Sequence, residues 1–201
     1  RAADPTGLFS EPNVGPLPTD VNPASSFVGS CRVFEPGHYT VAPNLGSNNY
    51  FKSGNYIFDG FTLDIKNTKV TAGRASGDGS DGSAQFIPNT PCNTARNADP
   101  GVGVTTSGAT FYLQNKAGFE LSANGTLEVM RRKQGKSYVG IHVLDDSYTY
   151  NEDVIMQGPG SNKDMVMHGL VWAPQARITF DNVSNVANGQ LERPFPGNTL
   201  A

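Results

Sequence analysis

The sequence predicts an all-β fold, a right-handed β-helix-like solenoid with long surface loops, on three observations. Apolar residues recur with a period of two. Glycine (23) and proline (14) are abundant among the 201 residues. Doublets of alternating apolar pairs repeat along the chain. Alternation puts Val, Ile, Leu, Phe and Tyr on one face of a strand, and the glycines and prolines supply turns between many short elements. No window carries a sustained 3.6-residue period, so little helix is expected.

Taken in order, residues 1–30 are broken by Pro5, Pro12, Pro16, Pro18 and Pro23. They read as an extended Pro-rich arm, laid over the domain or serving as a linker. Residues 31–201 read as a single β-helix-like domain. Alternation begins at Tyr39-Thr40-Val41 and continues through Tyr56-Ile57-Phe58 and Phe61-Thr62-Leu63-Asp64-Ile65. Residues 73–108 combine a low-complexity Gly/Ser/Asp run with a turn-rich stretch and read as a long surface insertion.

The repeat appears in three segments. Tyr56 and Phe58 precede Leu63 and Ile65; Phe111 and Leu113 precede Phe119 and Leu121; Leu170 and Trp172 precede Ile178 and Phe180. The second and third share one constant spacing throughout. Shorter pairs lie between them: Leu127 with Val129, Ile141 with Val143, Val154 with Met156, and Met165 with Met167. Asn124-Gly125 and Asn188-Gly189 offer residues that tolerate the backbone of sharp corners. A chain winding around a narrow core fits this pattern, and a β-sandwich is the alternative.

Composition narrows the partners. The formal net charge is −3, and the longest basic block, Arg131-Arg132-Lys133, reads as a solvated loop. A phosphate-facing surface needs many more cations, so nucleic acid is not an expected partner. No apolar run reaches about 20 residues, and no membrane span is expected. The chain opens at Arg1 without Met or a signal peptide, which reads as a processed or excised domain. Cys31 and Cys92 are too few for a zinc centre. In a secreted protein they form a disulfide, with two buried thiols as the alternative.

Several segments together resemble a bacterial family. They are Cys31-x-x-Phe34-x-Pro36-Gly37-x-Tyr39, Tyr50-Phe51-Lys52-Ser53-Gly54-x-Tyr56, Gly108-x-Thr110-Phe111-Tyr112-Leu113, Asn124-Gly125-Thr126-Leu127, Val139-Gly140-Ile141-x-Val143, and Gly169-Leu170-Val171-Trp172-Ala173-Pro174-Gln175-Ala176. Their order is similar to the extracellular β-helical region of surface proteins associated with Tad/Flp-type (TadG-like) pilus assembly in actinobacteria. The resemblance spans roughly residues 31–185 and implies a structural role at the cell surface, with no catalytic residues to carry over.

The residues that bear chemistry are scattered. His38, His142 and His168 have no metal-ligand spacing. His142 lies opposite its apolar neighbours, an orientation expected to face solvent or a groove. Asp145-Asp146 and Glu152-Asp153 are adjacent pairs, and strand neighbours point to opposite faces, so each doublet offers at most one carboxyl to a cleft. They otherwise read as charges that keep an edge from pairing. Asp78 and Asp81, in Gly77-Asp78-Gly79-Ser80-Asp81-Gly82, suit the oxygen ligation of calcium, against the plainer reading of a flexible linker. No other cofactor is expected.

Tyr148 and Tyr150 share one strand face near Asp145 and Asp146. Such a platform could stack a glycan or meet a protein, or simply pack across strands. No nucleophile elbow or phosphate loop is present. The expected function is therefore a non-enzymatic extracellular structural or adhesive module of a bacterial surface or pilus-associated protein. Its partners would be proteins of a surface assembly, including self-assembly through end rungs. The alternative is a carbohydrate-binding or carbohydrate-cleaving module.

Overall fold

A computed structural model describes residues 12, 16–73, 89–99, 108–131, 139–144, 153–157, 164–174 and 176–179. The alternating segments are short strands: β1 (Ser26–Val28), β2 (Cys31–Phe34), β3 (Gly37–Tyr39), β4 (Asn48–Phe51), β5 (Gly54–Asp59), β6 (Thr62–Lys66) and β7 (Lys69–Ala72). A 3-10 turn (Thr90–Cys92) and the five-residue helix α1 (Asn93–Asn97) come next. Then follow β8 (Ala109–Gln114), β9 (Gly118–Ser122), β10 (Thr126–Met130), β11 (Val139–Val143), β12 (Asp153–Gln157), β13 (Asp164–His168), β14 (Leu170–Trp172) and β15 (Arg177–Thr179).

The strands form three sheets. The first runs β1-β2-β4-β7-β10-β13, the second β14-β11-β8-β5-β3 and the third β15-β12-β9-β6. From β4 onward the chain visits the first, second and third sheet in that order and then begins again. Each returning strand pairs in parallel with the strand of the previous circuit. The antiparallel pair is β1 with β2. An immunoglobulin-like sandwich is built from antiparallel sheets, so these parallel pairings stand against that alternative.

Parallel pairing stacks like upon like, because residues in register share a face. Tyr56 sits on Phe111, Phe58 on Leu113, Leu63 on Phe119 and Ile65 on Leu121. All are buried in one core with Phe34, Phe51, Val70, Leu127, Ile141 and Ile155. Phe34 and Phe51 stack at 4.5 Å, Tyr56 and Phe111 at 5.0 Å, and Phe111 meets Phe119 edge-on at 5.3 Å. Each such aromatic pair adds roughly 0.5–1.5 kcal/mol beyond its area burial.

Corners explain how short strands can turn so sharply. Asn67 and Asn124 adopt left-handed backbone angles (φ 51° and 58°), which Asn tolerates better than most residues. At Gly125 the reason is space: a Cβ would lie 1.8 Å from the Ile65 carbonyl oxygen of the neighbouring circuit.

Several sequence expectations shift. In the Tyr39-Thr40-Val41 run, β3 stops at Tyr39 and Val41 is exposed. In the third repeat the register slips at Gly140, so Val171 rather than Leu170 stands on Ile141, and Trp172 stands on His142. On the third sheet the common spacing survives: Phe119 stacks on Ile155 and Ile155 on Ile178. Ile155, not Val154 or Met156, is thus the residue in register with Phe119, and the shift between Asp153 and Ile155 lies in the ladder that joins β12 to β15.

Within residues 1–30, Ser26–Val28 forms strand β1 on the edge of the first sheet. Asp20 and Asn22 bond to the His38 backbone at 2.7 and 2.8 Å, beside a parallel Val21–His38 bridge on the second sheet. The Asn55 side chain donates to the Pro16 carbonyl oxygen at 2.7 Å. Among the described residues, no helix is long and apolar enough to cross a membrane.

Candidate functional site

Tyr148, Tyr150, Asp145 and Asp146, the expected binding platform, lie outside the described residues, as do Asp78 and Asp81 of the expected calcium loop. The cysteines are described. Cys31 and Cys92 are joined by a disulfide and both are fully buried. The bond fastens residues 89–99 against the outer face of the first sheet, where Cys31, Val33, Tyr50, Cys92 and Ala95 form a second small core.

Two polar ties flank that core. The Asn89 side chain donates to the Asn49 carbonyl and the Thr71 hydroxyl, each at 3.2 Å. At the far end Asp99 accepts from the Tyr50 hydroxyl (2.5 Å), the Ser53 amide (2.7 Å) and the Ser53 hydroxyl (2.9 Å). A nearly buried carboxylate needs such donors to offset its lost hydration.

On the outer face of the second sheet, Asp59 gathers partners from β3 and from the end of β8, the strands on either side of its own. Asn115 reaches it at 2.6 Å, Gln114 at 2.9 Å, and the His38 imidazole lies 3.0 Å away. The Asn115 bond, helped by Gln114 and His38 against the opposing effect of burial, holds the Asp59 carboxyl below its ordinary range. With its oxygens so engaged, Asp59 is placed as a tie between circuits and not as a free base.

Of the two orientations expected for His142, toward solvent or toward a groove, the solvated one is corrected. It does point away from Ile141 and Val143, yet only 1% of it is exposed, and its ring lies 5.6 Å from Tyr112. Outward on this sheet is not the same as wet, because Ile57 and Tyr112 in the same row are also buried. His168 pairs instead with the buried Glu128 at 3.3 Å on the first sheet. Asp153 is held by a two-pronged bond from Arg177 (2.6 and 2.9 Å) and by the Thr179 hydroxyl. The Arg177 bonds keep the Asp153 carboxyl below its usual range.

These groups do not converge. Among the described residues, no set of three or more His, Cys, Asp or Glu is placed to hold a metal ion. A groove of about 580 Å³ lies between residues 42–47 and residues 62–68. It carries Asp64 and Lys66 and holds none of the candidate binding, metal or disulfide residues named from the sequence.

The sequence reading missed Asp59 and Asp99, whose partners lie far away along the chain. The signal it could have used is Asn115, an Asn at a corner with φ 53° directly after a strand. Comparisons of the chain with protein-family models, curated proteins and solved structures give no match.

Proposed function

We propose that this chain is a non-enzymatic extracellular module, structural or adhesive, of a bacterial surface or pilus-associated protein, built as a right-handed β-helix-like solenoid. The observation that carries the reading is the repeated circuit through three parallel sheets around one aromatic interior. Stacked circuits of this kind make a stiff rod, since every inner strand is bonded on both edges and each circuit buries its neighbour's side chains. Rigidity is the mechanism: the stack holds inserted segments at fixed positions for protein partners.

The polar side chains support the same reading. Asp59, Asp99 and Asp153 each accept several hydrogen bonds from groups of the fold itself. Carboxylates spent on cross-circuit ties stabilise a scaffold and are poorly placed to do acid–base work. The Cys31–Cys92 bond is compatible with an oxidising, extracellular compartment.

The test is surface labelling of intact cells of the source organism with a membrane-impermeant biotinylating reagent. Labelling before lysis is the expected result. Protein labelled only after lysis overturns the surface role. Incubation with a panel of polysaccharides is the companion measurement, and catalytic release of reducing ends contradicts the non-enzymatic reading.

A further inference from the structure

The corners between the first and second sheets differ greatly in length, although the strands they join are in register. In one circuit the corner from β4 to β5 is short: Phe51 is followed by Lys52 and Ser53, and β5 begins at Gly54. In the next circuit Ala72 stands on Phe51 and Ala109 stands on Gly54. Gly73 therefore takes the place of Lys52, and Gly108 takes the place of Ser53.

Hydrogen bonds confirm this equivalence. The Lys52 amide donates to the Phe34 carbonyl one circuit below, and the Gly73 amide donates to the Phe51 carbonyl in the same way (3.1 and 2.8 Å). From the other side of the gap, the Gly108 carbonyl accepts from the Gly54 amide at 2.9 Å, and its own amide donates to the Ser53 hydroxyl at 3.0 Å. The two glycines also touch. A Cβ on Gly73 would lie 2.1 Å from the Ala109 nitrogen and 2.7 Å from the Gly108 α-carbon. Adding one carbon–carbon bond puts the two α-carbons within about 4.2 Å, against about 3.8 Å for consecutive residues.

We infer that residues 74–107 are an insertion placed inside a two-residue corner, carried on a circuit whose backbone closes without them. Both stem residues are glycines with positive φ (65° and 89°), which lets the chain leave and re-enter at one point where a side chain would collide. The inserted chain is then fastened at its middle. Cys92 bonds to Cys31, Asn89 ties to β4 and β7, and Asp99 ties to Tyr50 and Ser53.

Residues 89–99 thus form a strap over the outer face of the first sheet. As a display device this insertion rests on the surface role proposed above. As an insertion it stands on the stem geometry alone.

The experiment uses two variants of the full chain. In the first, a specific protease site is placed between Gly82 and Ser83 and cut, leaving two pieces joined by the disulfide. In the second, residues 74–107 are deleted, Gly73 is joined to Gly108, and Cys31→Ser removes the orphaned thiol. Far-UV circular dichroism and thermal unfolding are read on both.

The expected result is a cooperative transition and a β-type spectrum for each, with a lower Tm for the deletion because Val33 and Tyr50 lose their cover. Loss of the cooperative transition on nicking overturns the inference, since closure would then depend on the inserted chain. A deletion that fails to fold while the nicked protein stays intact overturns it too, by making the strap part of the core. Either failure leaves the cell-surface labelling result untouched, so the two readings are separable.

Discussion

The Asn124 side-chain amide donates to the Asn67 side-chain oxygen at 3.0 Å, from one circuit to the next, with both residues in the left-handed region. The Asn67 amide also reaches the Ala123 carbonyl at 2.8 Å. The corner from the third sheet to the first is therefore repeated in two successive circuits, backbone and side chain alike. A fold built this way depends on residues that permit close stacking at corners as much as on its apolar core.

Gly125 is the sharpest instance. With the Ile65 carbonyl 1.8 Å from any added Cβ and the Ser122 carbonyl at 2.8 Å, Gly125→Ala forces two circuits apart. A loss of more than about 2 kcal/mol is expected, the scale of steric faults in packed interiors. Urea unfolding against the parent chain measures it.

Phe111 occupies the middle of the aromatic interior, with Phe51, Tyr56, Phe58 and Phe119 all between 5.0 and 5.6 Å away. Truncation by Phe111→Ala leaves a cavity that several rings border. The expected cost is about 3–5 kcal/mol. Denaturant titration checks it, and an unchanged midpoint would mean that the ring is not central.

The disulfide closes a span of 61 residues. Chain-entropy reasoning gives about 4 kcal/mol as the most it contributes, and less where the unfolded chain keeps structure. Because Cys31 and Cys92 are buried, reductant alone is expected to leave the bond intact in the folded protein, and reductant with denaturant to break it. Thiol counting under both conditions checks this. The paired variant Cys31→Ser with Cys92→Ser is expected to unfold at lower denaturant.

Acid should weaken the fold in a defined window. Asp59 and Asp153 both have folded-state pKa values lowered by hydrogen bonds, chiefly from Asn115 and Arg177 respectively. A group with a depressed folded pKa binds its proton more readily when unfolded. Its stabilisation is present above the unfolded-state value, near 3.8, and is lost as pH falls through the lower folded-state value. Thermal midpoints should therefore drop below about pH 4. Asp59→Asn should flatten that drop while losing stability at neutral pH.

Much of the fold was legible because apolar alternation is local. Tyr56 and Phe58, Leu63 and Ile65, Phe111 and Leu113, Phe119 and Leu121 could each be paired off the sequence, and all are inward and stacked. Asn124-Gly125 was legible as a corner for a related reason: few residues accept that backbone. The slip at Gly140 was not, since a bulge depends on the neighbouring circuit rather than on its own sequence.

Burial on outward faces was hidden as well. Alternation tells which face His142 occupies but not whether that face is covered. The Asp59 cluster draws on His38, Gln114 and Asn115, which only the stacking of three circuits brings together. The disulfide could be named because the chain has only two cysteines. The polar ties of the segment it fastens could not, because Asn89 and Asp99 sit in a stretch whose composition reads as plain loop.

A crystal structure of the purified protein tests the stacked-circuit scaffold most directly. The expected result is three parallel ladders with Tyr56 on Phe111 and Leu63 on Phe119, Gly73 beside Gly108, and Asp59 ringed by His38, Gln114 and Asn115. An antiparallel sandwich, or Gly73 and Gly108 held apart by intervening chain, would contradict it. So would a concave groove in which Tyr148, Tyr150 and two carboxyls about 5–9 Å apart converge, which is the geometry of glycan cleavage and not of a scaffold.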